Sequence, residues 1–340
     1  MTILDVQHTT IYRYRRPVQL GEHRLMLRPR DSHDLRLIET SLDCSPAAAV
    51  RWSYDVFGNS IAIASFTEPT TELRIVSRLR LETFERKRPA FQVTPEAATY
   101  PFIYSADDRI DLGRLLDRQY PDPGDRVGKW ARGFVSGKPT GTLALLADLN
   151  SGVAAWVSYQ SRDIEGTQTP AETLNRGWGS CRDFAVLFVE AARCLGFGAR
   201  VVSGYLYNPS TAVRGAGTTH AWADIYVPGC GWIAYDPTNG TIDSSDLIRV
   251  AVTRDINQAI PLAGNFFGAS DSYMGMTVDV TITPESAEIR KAPAAISKPA
   301  EPIKPAEPVR KPASGDKPLT LPEASEDVDA RANLVAFRRD

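Results

Sequence analysis

Two periodicities divide this chain. In its first quarter, apolar residues recur at every second position through Thr9 to Tyr14, Ser60 to Phe66 and Leu73 to Phe84. Leu73, Ile75, Leu79, Leu81 and Phe84 mark the last of these most clearly. Period-two alternation predicts half-buried strands, and several in succession predict an antiparallel β-sandwich. Past a Pro-containing connector, Arg88 to Tyr104, the spacing changes to three and four. Leu112 to Asp117 and Val127 to Phe134 read as short helices. Thr142 to Tyr159 reads as a longer one, with Leu145, Leu146, Leu149, Val153, Trp156 and Val157 apolar and Gly152 interrupting it. Phe184, Leu187, Phe188, Ala191, Ala192 and Leu195 predict a further helix, and Gly196 suits its end. Alternation returns at Ala199 to Tyr207, Ala221 to Val227 and Trp232 to Tyr235, the strands of a small sheet. A last strand is expected at Asp279 to Thr283. The expected class is α+β: an N-terminal β-sandwich-like domain over 1–100, an α+β core over 101–285, and a tail.

The tail, 286–340, changes the picture by composition. It holds eight of the chain's 24 prolines, and Phe337 is its one aromatic residue. Lys-Pro-Ala-Glu-Pro repeats bury too little apolar surface to offset ordering entropy, so a disordered tail is expected. A short helix at Asp327 to Phe337 is left as a contact for a protein partner.

The whole chain has 340 residues, 43% hydrophobic and 24% charged, with a net charge of −2. That balance points away from nucleic acid and from an anionic membrane surface. No run of 18 apolar residues predicts a transmembrane helix. Asp5 stands where a signal peptide needs an apolar stretch, so a cytoplasmic location is expected. The four cysteines, Cys44, Cys181, Cys194 and Cys230, then read as free thiols.

Candidate chemistry gathers in three segments. Cys181 follows Gly-Trp-Gly-Ser and opens the helix at Phe184, where free N–H groups and the positive dipole end favour a thiolate. The Cys181 N–H is also a candidate oxyanion donor. His220 opens an alternating strand and is the one histidine beyond His33. His220, Trp222, Asp224 and Tyr226 share a large mixed face that suits a cleft wall; Ala221, Ala223, Ile225 and Val227 share a small apolar one. Pro228-Gly-Cys-Gly231 is a turn signal, and the returning strand ends at Asp236, which a hairpin brings near His220. Asp236 before Pro237 also suits a plain turn. Thiol, imidazole and carboxylate are the parts of an activated nucleophile. Arg182 and Asp183 read as an ion pair or a cap, Cys194 as a small core residue, and Trp178, Trp222 and Trp232 as core or as the walls of an acyl tunnel. A zinc site at Cys181 and His220 lacks the further Cys or His that a tetrahedral set needs. No Asp/Asn-rich calcium loop is present, so neither metal nor cofactor is expected.

The chain resembles the bacterial-type transglutaminase-like superfamily, a branch of the papain-like cysteine enzymes. The resemblance is carried by Thr169-Pro-Ala-Glu-Thr-Leu174, Gly179-Ser-Cys-Arg-Asp-Phe184, Leu195-Gly-Phe-Gly-Ala-Arg-Val-Val-Ser-Gly-Tyr205, His220-Ala-Trp-Ala and Asp236-Pro-Thr. His23-Arg-Leu-Met-Leu-Arg-Pro-Arg30 and Asp55-Val-Phe-Gly-Asn59 resemble the β-rich domain that often precedes such a core. The resemblance implies a papain-like core and a Cys181–His220–Asp236 triad acting on a peptide or protein amide through a thioester. Tyr159 is a candidate oxyanion donor, with packing as its plainer role. Arg182 and Asp183 replace the Trp that follows the nucleophile in the large animal transglutaminases, which leads away from protein crosslinking. A cysteine protease or peptide amidase is expected first. A glutamine transglutaminase and a non-catalytic binding module on the same fold are the alternatives.

Overall fold

Six strands fill residues 2–83: β1 (Thr2–Leu20), β2 (His23–Leu25), β3 (Leu35–Ser45), β4 (Ala48–Tyr54), β5 (Ser60–Phe66) and β6 (Thr70–Thr83). The structure, a computed structural model, describes residues 1–84, 91–137, 139–161, 166–207 and 219–285. The expected tail and its partner helix lie outside the described residues. β1, β6 and β3 pair antiparallel in one sheet, and β2, β5 and β4 in a second. Val18, Leu25, Ala64, Phe66, Leu73 and Ile75 form the core that joins them. Burying each large side chain here contributes about 1.5–3 kcal/mol. This is the sandwich that the alternation predicts. β3 and β4 were not legible that way because their side chains are largely exposed or half-buried.

The free edge of β1 is taken by the strand Tyr273–Pro284, running from Leu4↔Pro284 to Tyr14↔Tyr273 with a bulge at Arg13/Tyr14. Leu262–Ala263 likewise pairs with β2. The expected last strand therefore forms, and its partner lies at the opposite end of the chain. Alternation identifies a strand and the face it buries, but not what it pairs with.

Among the described residues, five α-helices follow: α1 (Ala106–Leu112), α2 (Arg126–Arg132), α3 (Thr142–Trp156), α4 (Pro170–Arg176) and α5 (Cys181–Cys194). The helix expected at Leu112 to Asp117 lies one element earlier, with a 3-10 turn over Gly113–Leu115. α3 stops at Trp156 rather than Tyr159. Val157 is buried in extended geometry (φ −113°, ψ 123°), and Ser158–Tyr159 leaves the helix to pair in parallel with Trp178–Gly179. Gly152 costs helix propensity but has a packing reason: a Cβ there would stand 2.2 Å from the Phe134 ring.

The small sheet has five strands, in the order Thr241–Ile242, Gly231–Asp236, His220–Val227, Ala199–Leu206, Leu247–Thr253. Ala221, Ala223, Ile225, Val227, Ile233 and Tyr235 from this sheet pack on α5. α5 is buried on nearly every side, with its charged residues Asp183, Glu190 and Arg193 included. Trp222, Val202, Ala234 and Val252 cluster instead with Phe57, and Tyr205, Ile248 and Val250 with Leu4, Val6 and Leu79. The sheet is thus pressed between α5 and the β-sandwich. The mixed face of the His220 strand is accordingly buried rather than open: His220, Trp222 and Asp224 are all at most 1% exposed.

Candidate active site

Cys181 is the first residue of α5. Ser180 caps the helix in extended geometry (φ −87°, ψ 175°), and Asp183 in the first turn reaches back to it. The Asp183 carboxylate accepts from Ser180 N (2.7 Å), Ser180 Oγ (2.9 Å) and Gln168 N (2.7 Å). Asp183 is therefore a buried cap, one of the two roles read for it. Gln168 Nε2 donates to Trp178 O (3.1 Å), and Gln160 N to Gly179 O (2.9 Å), which fixes the Gly-Trp-Gly-Ser loop against Tyr159. A helix start held in this way aims its first N–H groups at whatever the Cys181 sulfur bonds.

His220 and Asp236 come from neighbouring antiparallel strands, in the register Ala223↔Tyr235 and Asp224↔Ala234. His220 opens its strand and Asp236 closes the next, so the two side chains meet at one end of the hairpin. His220 Nε2 lies 2.8 Å from Asp236 Oδ2, with both side chains fully buried. Asp236 also serves as the turn residue. Its Oδ1 accepts from Thr238 N (3.0 Å), while Oδ2 accepts from Asn239 Nδ2 (2.8 Å) as well. The turn and the histidine contact are thus compatible. The other imidazole nitrogen, Nδ1, is buried with no well-formed hydrogen-bond partner among the described residues. Cys181 is the second group coupled to this imidazole.

The electrostatics follow from that coupling. Burial alone would raise the Cys181 thiol; the charged His220 ring, the Ala221 N–H and Arg182 outweigh it and lower it. Burial alone would lower His220, yet Asp236 and the Cys181 sulfur raise it. Burial pulls Asp236 up, and His220, Asn239 and Thr238 together hold it below the carboxylate range. All three shifts favour thiolate, imidazolium and carboxylate.

Cys181, His220 and Asp236 are therefore brought together. Tyr159 is half-buried on the short strand beside the Cys181 loop, with its ring 6.3 Å from that of Phe184. The three tryptophans separate. Trp222 is fully buried and stacks on His220 (6.0 Å, 26°), Trp232 lies under Arg200 (4.0 Å), and Trp178 lies near Arg176 (5.7 Å). Sequence reading missed Asn239, although Asp-Pro-Thr-Asn offered it as a turn amide. It also missed the Ala221 N–H, a backbone group without any sequence signal. The cysteines are free, as expected.

The family model for the transglutaminase-like superfamily matches residues 128–237, which include all three residues of the cluster. The model for the bacterial transglutaminase-like N-terminal region matches residues 4–82. The chain belongs to the transglutaminase-like superfamily. Members of this superfamily are generally cysteine-dependent enzymes. An uncharacterised protein of Mycobacterium leprae is 26% identical over 285 residues, covering 82% of this chain and 98% of its own. Among solved structures, a candidate cysteine protease from Cytophaga hutchinsonii superposes with a TM-score of 0.63 at 20% identity, over 83% of this chain and 90% of that one. That likeness supports the fold, N-terminal region included. The periplasmic domain of TgpA from Pseudomonas aeruginosa matches at 15% identity and a TM-score of 0.33, over 68% of this chain and 88% of that one.

Proposed function

We propose that this protein is a cysteine-dependent amide hydrolase acting on a peptide or protein, with Cys181 as nucleophile, His220 as general acid and base, and Asp236 as the group that orients the imidazole. The observation that carries this reading is the buried His220–Asp236 pair at 2.8 Å, coupled to a thiol at a helix N-terminus. The Cys181 thiolate attacks the amide carbonyl carbon. The C–N bond then breaks as His220 delivers its proton to the departing nitrogen, leaving a thioester. Water adds to that thioester, His220 takes a proton from it, and the thiolate leaves again with the acid as product. The Cys181 N–H, with Tyr159 as the candidate second donor, faces the developing oxyanion. Asp236 keeps its charge throughout and stabilises the imidazolium. The Cytophaga likeness, to a protein described as a candidate protease, agrees with hydrolysis.

The test is a peptide library incubated with the full chain and with Cys181→Ala, with and without a primary amine. Released acid that requires Cys181 is the expected product. Products that carry the added amine in preference to water would make the enzyme an acyltransferase. Equal activity in Cys181→Ala would remove the thiol from the mechanism.

A further inference from the structure

On the sandwich side of the small sheet lies a cavity of about 200 Å³, bordered by Arg30, Arg200, Arg249, Trp222, Asp31 and Asp34. Two of these residues hold buried N–H donors that have no acceptor among the described residues: Trp222 Nε1 and Arg249 Nε. Trp222 is itself fully buried. Leaving one such donor unmatched costs free energy, and two beside one cavity ask for an acceptor.

The charges say which acceptor. Asp224, fully buried, takes Arg200 Nε (3.0 Å) and Nη2 (2.9 Å) on one oxygen and Arg249 Nη2 (3.0 Å) on the other. One carboxylate between two guanidinium groups leaves a surplus positive charge at the inner end. Burial lowers Arg200, and repulsion from Arg249 and Arg30 works against the pull of Asp224. The acidic residues of the cavity are engaged in their own loop. Asp31 Oδ1 accepts from Leu37 N (2.5 Å), and Asp34 Oδ1 from Ser32 Oγ (2.5 Å). Their charges disfavour a dianion. What remains is a place for one negative charge with two acceptor oxygens, in a space smaller than a drug-sized pocket.

We propose that this cavity binds a monocarboxylate no larger than an amino-acid residue, seated on Trp222 Nε1 and Arg249 Nε. Trp222 stacks on His220, so an occupant is in position to influence the imidazole. The site stands independently of the proposed hydrolysis, because binding is read without turnover.

The test is the indole N–H spectrum of the ¹⁵N-labelled full chain, titrated with N-acetylalanine, with its neutral amide and with inorganic phosphate at constant ionic strength. The chain has six tryptophans, and Trp222→Phe assigns the signal. If that variant does not fold, the other five Trp→Phe variants assign it by elimination. The expected result is a saturable shift of the Trp222 indole with N-acetylalanine and not with the amide, present equally in Cys181→Ala. Arg249→Met should weaken the binding by about tenfold or more. No saturable shift, an equal response to the neutral amide, or tighter binding of phosphate would each overturn the proposal.

Discussion

At the residue scale, three side chains set burial against charge. Cys181, His220 and Asp236 were legible in the sequence because each stands at a local discontinuity: a helix start after two glycines, a strand start, and a turn. What was not legible is how they are held. Asn239 and the Ala221 N–H depend on a turn and a strand end meeting in space, and neither lies in a periodic pattern. His220→Ala should lower kcat/KM as far as Cys181→Ala does, because groups acting as a unit lose their effect together. Asp236→Asn should cost less, roughly 10²–10⁴-fold, since the imidazole keeps a hydrogen-bond partner and loses its counter-charge. Steady-state kinetics on the peptide selected from the library check both. An Asp236→Asn rate equal to the parent's would leave Asp236 as a turn residue alone.

The element that decides the site is α5. Its three-and-four spacing predicted both its place and its N-terminus, because Phe184, Leu187, Phe188, Ala191 and Ala192 are set off by a polar stripe of Asp183, Glu190 and Arg193, itself buried, with Arg193 paired to Glu190. α3 was harder to end. Nothing in Trp156-Val-Ser-Tyr159 breaks a helix, and the stop comes from pairing with Trp178–Gly179, a contact that lies beyond any local window. The strand Leu247–Thr253 went unread because Val250, Ala251, Val252 and Thr253 are all buried, so its residues do not alternate. The cap at Asp183 ties these elements together. Asp183→Ala strips the acceptor from Ser180 N, Ser180 Oγ and Gln168 N. It should lower unfolding free energy by roughly 2 kcal/mol or more and slow Cys181 chemistry as the loop loosens. Denaturant melts read the first effect and alkylation rates the second. A variant as stable as the parent would mean that water serves these donors equally well.

For the whole molecule, the strand Tyr273–Pro284 closes the sandwich against β1, and Glu285 continues the pairing through its N–H to Ile3 O (2.9 Å) and its ion pair with Arg80. Two truncations should therefore behave differently. Ending the chain after Glu285 should leave Tm and Cys181 reactivity unchanged, because residues 286–340 carry too few apolar groups to offset their ordering entropy of about 1–2 kcal/mol per residue. Ending it after Ser272 leaves the edge of β1 opposite β6 unpaired and should lower Tm sharply or yield aggregates. A loss of several degrees on the first truncation would show that the tail docks on the core. The α+β class was legible from the switch of period alone. The closure of the sandwich by a distant strand was not, because alternation is the same whatever the partner.

The most direct test of the thiolate–imidazolium site is the rate at which iodoacetamide alkylates each cysteine as a function of pH, followed by mass spectrometry. Only thiolates react, so each rate follows its own ionisation. Burial raises Cys44, Cys230 and Cys194, the last to about 11, whereas Cys181 is lowered by His220 against its own burial. Cys181 should therefore reach its plateau at a pH where the other three are only beginning to react. His220→Ala should push its profile up toward theirs, since only the Ala221 N–H and Arg182 then oppose burial. A Cys181 rate that rises no earlier than the rates of Cys44, Cys194 and Cys230, or that does not change in His220→Ala, would contradict the account.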